Sequence, residues 1–146
     1  MIQRKQTLFL LLAAILLLVT PFLPLGTIVS ADSSESYSPF SAICNDGNYS
    51  AIGYAIVLIL AAIIAIIDIF LWKNRPLQMR IATLDLLMVI LSYGVFFLYR
   101  STAGDDIRYL LCIANFLPIA AIFSLSLAIQ GIRKDEKLIK SLDRIR

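Results

Sequence analysis

Histidine is absent from this chain. Its absence excludes the Ser-His-Asp triad, the two-histidine zinc helix and imidazole ligation of haem. Cysteine is nearly absent too: Cys44 and Cys112 are the only thiols, and two thiols without an imidazole do not make a metal centre. The Gly-x-Gly-Asp context of membrane-embedded aspartyl proteases is also missing. With no nucleophile-base arrangement and no cofactor motif, the chain is not expected to be an enzyme. Charge is scarce, at 16% of residues against about 25% in soluble domains. The formal net charge of +3 does not point to nucleic acid, because the Lys and Arg residues sit between and beyond apolar runs instead of sharing one soluble face.

What the chain has in excess is apolar sequence, 60% of residues with a mean hydropathy of +0.85. No water-exposed fold of 146 residues hides that much apolar surface. Two runs, 51–71 and 81–98, flank a basic turn at 72–80. Each is about 20 residues, which at roughly 1.5 Å per residue matches the ~30 Å hydrocarbon core of a bilayer. Asn74 suits a helix cap and Pro76 a first helical turn. A third run opens the chain behind Arg4 and Lys5. It has the layout of a signal peptide, but its apolar character lasts about 22 residues, longer than the 7 to 15 of a signal core, so a retained span is expected. Pro21 and Pro24 predict that its regular helix stops near Thr20, with a looser extension to Val29. A fourth run follows residue 108. The expected spans are about 7–29, 50–71, 81–99 and 109–130, forming an all-α antiparallel four-helix transmembrane bundle in one membrane domain.

Loop charges orient the bundle. The N-terminus, the 72–80 turn and the tail 131–146 hold eleven Lys and Arg, whereas the outer loop 30–48 and the 100–108 connection hold two. By the positive-inside rule both termini are cytoplasmic. The acidic outer loop carries Asp32, Glu35, Asp46 and the turn signal Asn45-Asp46-Gly47-Asn48; its length fits either a short hairpin packed as a cap or a mobile segment.

Asp68 and Asp85 are the only acids inside the predicted spans. An ionised carboxylate there costs on the order of 2.5 to 3.5 kcal/mol, so each requires a reason. One is structural: pairing with Lys73, Arg75, Arg80 or Arg133, or reaching nearby water. The other is functional: a carboxyl pair that binds a proton or cation. Direct pairing with Arg75, Arg80 or Arg133 marks the first; Asp68 and Asp85 facing each other in a water-accessible cavity, away from any arginine, marks the second. Asn115 and Pro118 suggest helix packing around a disturbed turn. Small-residue ladders run through Ala120, Ser124 and Ala128, through Ala51 and Ala55, and through Ala61 and Ala65. Cys44 and Cys112 fall on one predicted side, as a candidate disulfide or as two free thiols. The tail carries Leu138, Ile139, Leu142 and Ile145 at helical spacing, interleaved with Arg133, Lys134, Lys137, Lys140 and Arg144. It predicts an amphipathic extension of the fourth span, positioned to touch lipid headgroups, dock on a partner or serve only as a topogenic charge.

The opening stretch Met1-Ile2-Gln3-Arg4-Lys5-Gln6-Thr7-Leu8-Phe9-Leu10-Leu11-Leu12-Ala13-Ala14 and the closing stretch from Gly131 to Arg146 resemble a bacterial family of small four-span inner-membrane proteins classed as a domain of unknown function. The resemblance implies a Gram-negative inner membrane and carries over no catalytic residue. The leading expectation is a non-catalytic accessory or scaffold subunit of a larger membrane complex, in contact with the lipid bilayer and with no nucleic-acid partner or cofactor. The alternative is a small oligomeric transporter or channel using Asp68 and Asp85.

Overall fold

The computed structural model describes residues 3–29, 34–37, 52–72, 74–102 and 108–143. Four helices dominate: α1 (Gln3–Val19), α2 (Ile52–Phe70), α3 (Arg75–Thr102) and α4 (Leu117–Asp143). All four are long and apolar enough to cross a bilayer, so this is a multi-pass membrane protein built as a helical bundle. Cross-links fix their directions. Gln6 reaches Asp135 and Phe9 meets Ser124, so α1 and α4 run antiparallel. Gln78 meets Asp68 while Tyr54 stacks obliquely on Phe96, so α2 and α3 do too. Arg75 with Asp135 and Tyr93 with Asn115 give the same sense for α3 and α4.

The packing follows the logic of helices in lipid, where close approach of small residues replaces a hydrophobic drive. Ala13, Ala55, Ala61, Ala62, Ala65, Ala82, Ala121 and Ala128 are fully buried, with Leu10, Leu17, Leu58 and Leu125 among them. Large side chains such as Phe70, Phe97 and Phe123 point outward. In water such a surface is untenable; against acyl chains it carries no penalty. The Ala61 and Ala65 ladder lies inward, and so do Ser124 and Ala128. Ala120 faces outward and Ala121 takes its place. Ala51 lies outside the described residues.

Two helix boundaries differ from the sequence expectation. Residues 75–80, read as turn, already belong to α3. Asn74 stands at its cap, its carbonyl accepting the Gln78 N–H at 2.9 Å, and Pro76 sits in the first turn with its φ preset for helix. The fourth helix starts at Leu117, not Tyr109, because Pro118 also occupies a first turn and therefore kinks nothing. The freed residues form strand β3 (Arg108–Leu111), followed by a 3-10 turn over Ile113–Phe116.

At the other end of the first span, α1 stops at Val19, a 3-10 turn over Thr20–Phe22 carries Pro21, and the extension to Val29 is strand β1 (Gly26–Val29). It pairs antiparallel with β2 (Ser34–Tyr37) on one side and with β3 on the other, placing Gly26 opposite both Tyr37 and Leu111. A small sheet therefore lies at one end of the bundle; of the outer loop 30–48, only residues 34–37 are among those described. Asn115 clasps it: its amide donates to the Leu25 carbonyl, which also accepts the Cys112 N–H at 3.0 Å, while the Asn115 carbonyl accepts the Tyr93 hydroxyl at 2.6 Å. Cys112 has a free, half-buried thiol. Cys44, the other half of the candidate disulfide, lies outside the described residues.

Candidate functional site

The opposite, basic end of the bundle is held by side chains, not by a sheet. Gln6 Nε2 on α1 donates to Asp135 Oδ2 on α4 at 2.7 Å, and Arg75 Nη1 on α3 lies 3.6 Å from the same oxygen. Three helices thus meet at one carboxylate. Gly131, one turn before Asp135, permits the approach: a Cβ there falls 2.8 Å from Gln6 Cγ. Gly131→Ala is accordingly expected to push Gln6 off Asp135. The loss, about 1–2 kcal/mol for one buried bond between membrane helices, is measurable as a lower unfolding midpoint in mild detergent. In a Gln6→Ala background, where both the bond and the clash are already gone, Gly131→Ala is expected to cost little more.

One turn along α3, Gln78 Nε2 donates to the backbone carbonyl of Asp68 at 3.2 Å, joining α3 to the end of α2. Arg75, Gln78, Ala82, Asp85, Val89 and Ser92 recur at steps of three and four, which puts them on one helix face. From Gln78 onward all of them are buried. This polar stair leads inward from Arg75, whose side chain keeps 25% exposure.

Asp68 and Asp85 lie on that seam. Both are 0% exposed, and none of their four carboxyl oxygens has a hydrogen-bond partner among the described residues. Gln78 is level with Asp68, and Asp85 lies seven residues, about 10 Å of helix, further into α3. The expected arginine pairing is not made: Arg75 turns to Asp135, while Arg80 and Arg133 are exposed. The side chain of Lys73 lies outside the described residues. The same burial rules out snorkelling, and it leaves the other mark unmet as well: among the described residues no water-accessible cavity opens on Asp68 or Asp85. Asp68 sits two residues from the end of α2, shallow as expected. Asp85 lies deeper, because α3 starts at Arg75 and ten residues of helix, about 15 Å, separate the two. In a candidate span of 24 residues, Arg75–Leu98, that depth is well inside the apolar layer.

A buried carboxylate with nothing opposite it is costly. It persists when a proton or a cation occupies it. Among the described residues no three His, Cys, Asp or Glu side chains gather as a metal-binding group. Sequence reasoning found both aspartates but missed Gln6, Gln78 and Asp135. Gln78 was legible in its seven-residue spacing from Asp85. Asp135 was hidden among tail charges, and only the tertiary approach of α1 reveals its role.

The family model described as Domain of unknown function (DUF4293) matches residues 2–145. No curated protein and no solved structure matches the chain.

Proposed function

Because the chain belongs to this family of unknown function, which lends it no activity, we propose from its own geometry that it is a non-catalytic inner-membrane protein binding and passing a proton or small monovalent cation at Asp68 and Asp85. The observation that carries this reading is the pair of fully buried carboxyl groups without partners. Structural acids in lipid are paired or hydrogen-bonded, and acids left open along a buried seam belong to ion pathways. Entry is from the basic end, past Arg75 and Gln78. The distribution of Lys and Arg supports a cytoplasmic position for that end and for both termini. A reporter fused after Arg146 and active only on the periplasmic side would reverse the direction of entry.

The test is flux. Purified protein in liposomes, under an imposed pH, Na+ or K+ gradient, is expected to dissipate at least one gradient faster than protein-free liposomes, and Asp68→Asn and Asp85→Asn are each expected to remove the difference. No acceleration by the unaltered chain, or full acceleration by both variants, rejects the reading. The accessory-subunit reading is second, supported by outward apolar helix faces that a neighbouring helix covers as well as lipid does. Recovery of a stoichiometric second chain in gentle detergent, with no flux from this chain alone, moves it to first place.

A further inference from the structure

The ring of Gln6, Asp135 and Arg75 marks where α1, α3 and α4 are level. Beyond it α3 has ended and α1 has only three more described helical residues, but α4 continues for eight, to Asp143, about 12 Å of helix. Among the described residues nothing covers this overhang. One face of α4 where it leaves the bundle, from Arg133 to Lys137, is not random. At about 100° per residue, Arg133, Lys134 and Lys137 fall within a single arc of roughly 100°, all exposed and without an ion pair among the described residues. The opposite face is anchored by Ile132 and Asp135, both buried. Of the nearest acids, Asp135 is turned inward to Gln6 and Arg75, and Glu136 is half-buried beside the arc. Toward the bilayer along the same side of α4, Phe123 and Leu127 are 67% and 47% exposed.

Cations thus stand at the end of the bundle, directly above bare apolar side chains on the same side of α4. That is the order met on leaving the headgroup layer, where phosphates lie above the first acyl carbons. We propose that Arg133, Lys134 and Lys137 form a binding site for the phosphate of an anionic phospholipid, with its acyl chains running down α4 over Leu127 and Phe123. Arg133 and Lys137 stand one turn apart with Lys134 beside them, a spacing that lets two side chains share one phosphate while a third reaches its neighbour. Inorganic phosphate meets the charge but leaves Leu127 and Phe123 bare, so the lipid is the occupant.

The experiment uses the full chain in nanodiscs of phosphatidylcholine with increasing phosphatidylglycerol. Thermal midpoint and lipid retention by native mass spectrometry are followed for the unaltered chain and for the triple variant Arg133→Gln, Lys134→Gln, Lys137→Gln. The unaltered chain is expected to gain midpoint and retain phosphatidylglycerol selectively, with the selectivity falling as salt rises. The variant is expected to bind it on the order of a hundredfold more weakly, since each cation near the surface adds comparably, yet to match the unaltered chain in pure phosphatidylcholine. Equal behaviour in the two lipids, equal behaviour of the two proteins, the same stabilisation by inorganic phosphate, or cross-linking of Lys134 and Lys137 to a protein in native membranes each overturns the proposal. The site does not depend on Asp68 and Asp85, so it stands or falls separately from flux.

Discussion

Asp85→Asn is expected to melt at a higher temperature than the unaltered protein, and Asp68→Asn to do so by less. The side chains are nearly isosteric, so neither cavity nor overpacking confuses the comparison. What changes is the burden of a carboxyl group that is 0% exposed with no partner among the described residues. Replacing poorly compensated buried charge by neutral groups stabilises proteins by about 1–4 kcal/mol. Asp85 belongs at the upper end because it lies deep in α3, and Asp68 lower because α2 ends two residues later. The double variant reads the coupling between the two groups: a gain below the sum of the two marks a repulsion that each single change already removes, and a gain equal to the sum marks independent sites. Unfolding midpoints of the four proteins in one detergent give this cycle directly. A fall in stability on removing either carboxyl shows that it holds the bundle together and ends its candidacy as a binding group. A rise accompanied by loss of flux is the trade expected of a functional site, which keeps a locally unfavourable group for what it binds.

What the sequence made legible depended on how local the cause was. The spans could be read because length and hydropathy are properties of single segments, and α2 at Ile52–Phe70 lies within the expected 50–71. Asn74 and Pro76 announced the start of α3, though the basic residues after them disguised six residues of helix as turn. The sheet was harder. Gly26–Val29 is an apolar quartet that continues the run before it, and a short apolar stretch has no period that separates strand from helix. Its strand character comes from β2 and β3, one at either side. The same holds at the basic end. Nothing in Arg133-Lys134-Asp135-Glu136 tells which of the two acids turns inward. That is decided by Gly131, which lets α1 bring Gln6 within reach.

Asp135→Ala is expected to do the opposite of Asp85→Asn, although both remove a buried carboxylate. Asp135 is partnered. Its Oδ2 accepts from Gln6 and attracts Arg75, and its loss strands a buried amide on α1 and a guanidinium on α3. Removing one member of a buried pair costs about 3–5 kcal/mol where both are sealed from water. Arg75 keeps 25% exposure, so solvent screens part of the loss and about 2–3 kcal/mol is the expected destabilisation. Asp135→Asn is expected to fall between, since an amide can still accept from Gln6 but offers Arg75 no charge. The decisive comparison adds Arg75→Leu to Asp135→Ala. With no stranded guanidinium the double variant is expected to recover part of the loss, whereas an unpaired Asp135 predicts simple additivity. Should Asp135→Ala melt as high as Asp85→Asn, the distinction between a carboxylate that ties helices together and a pair left open for an ion fails, and with it the reason for placing function on α2 and α3 instead of on the ring.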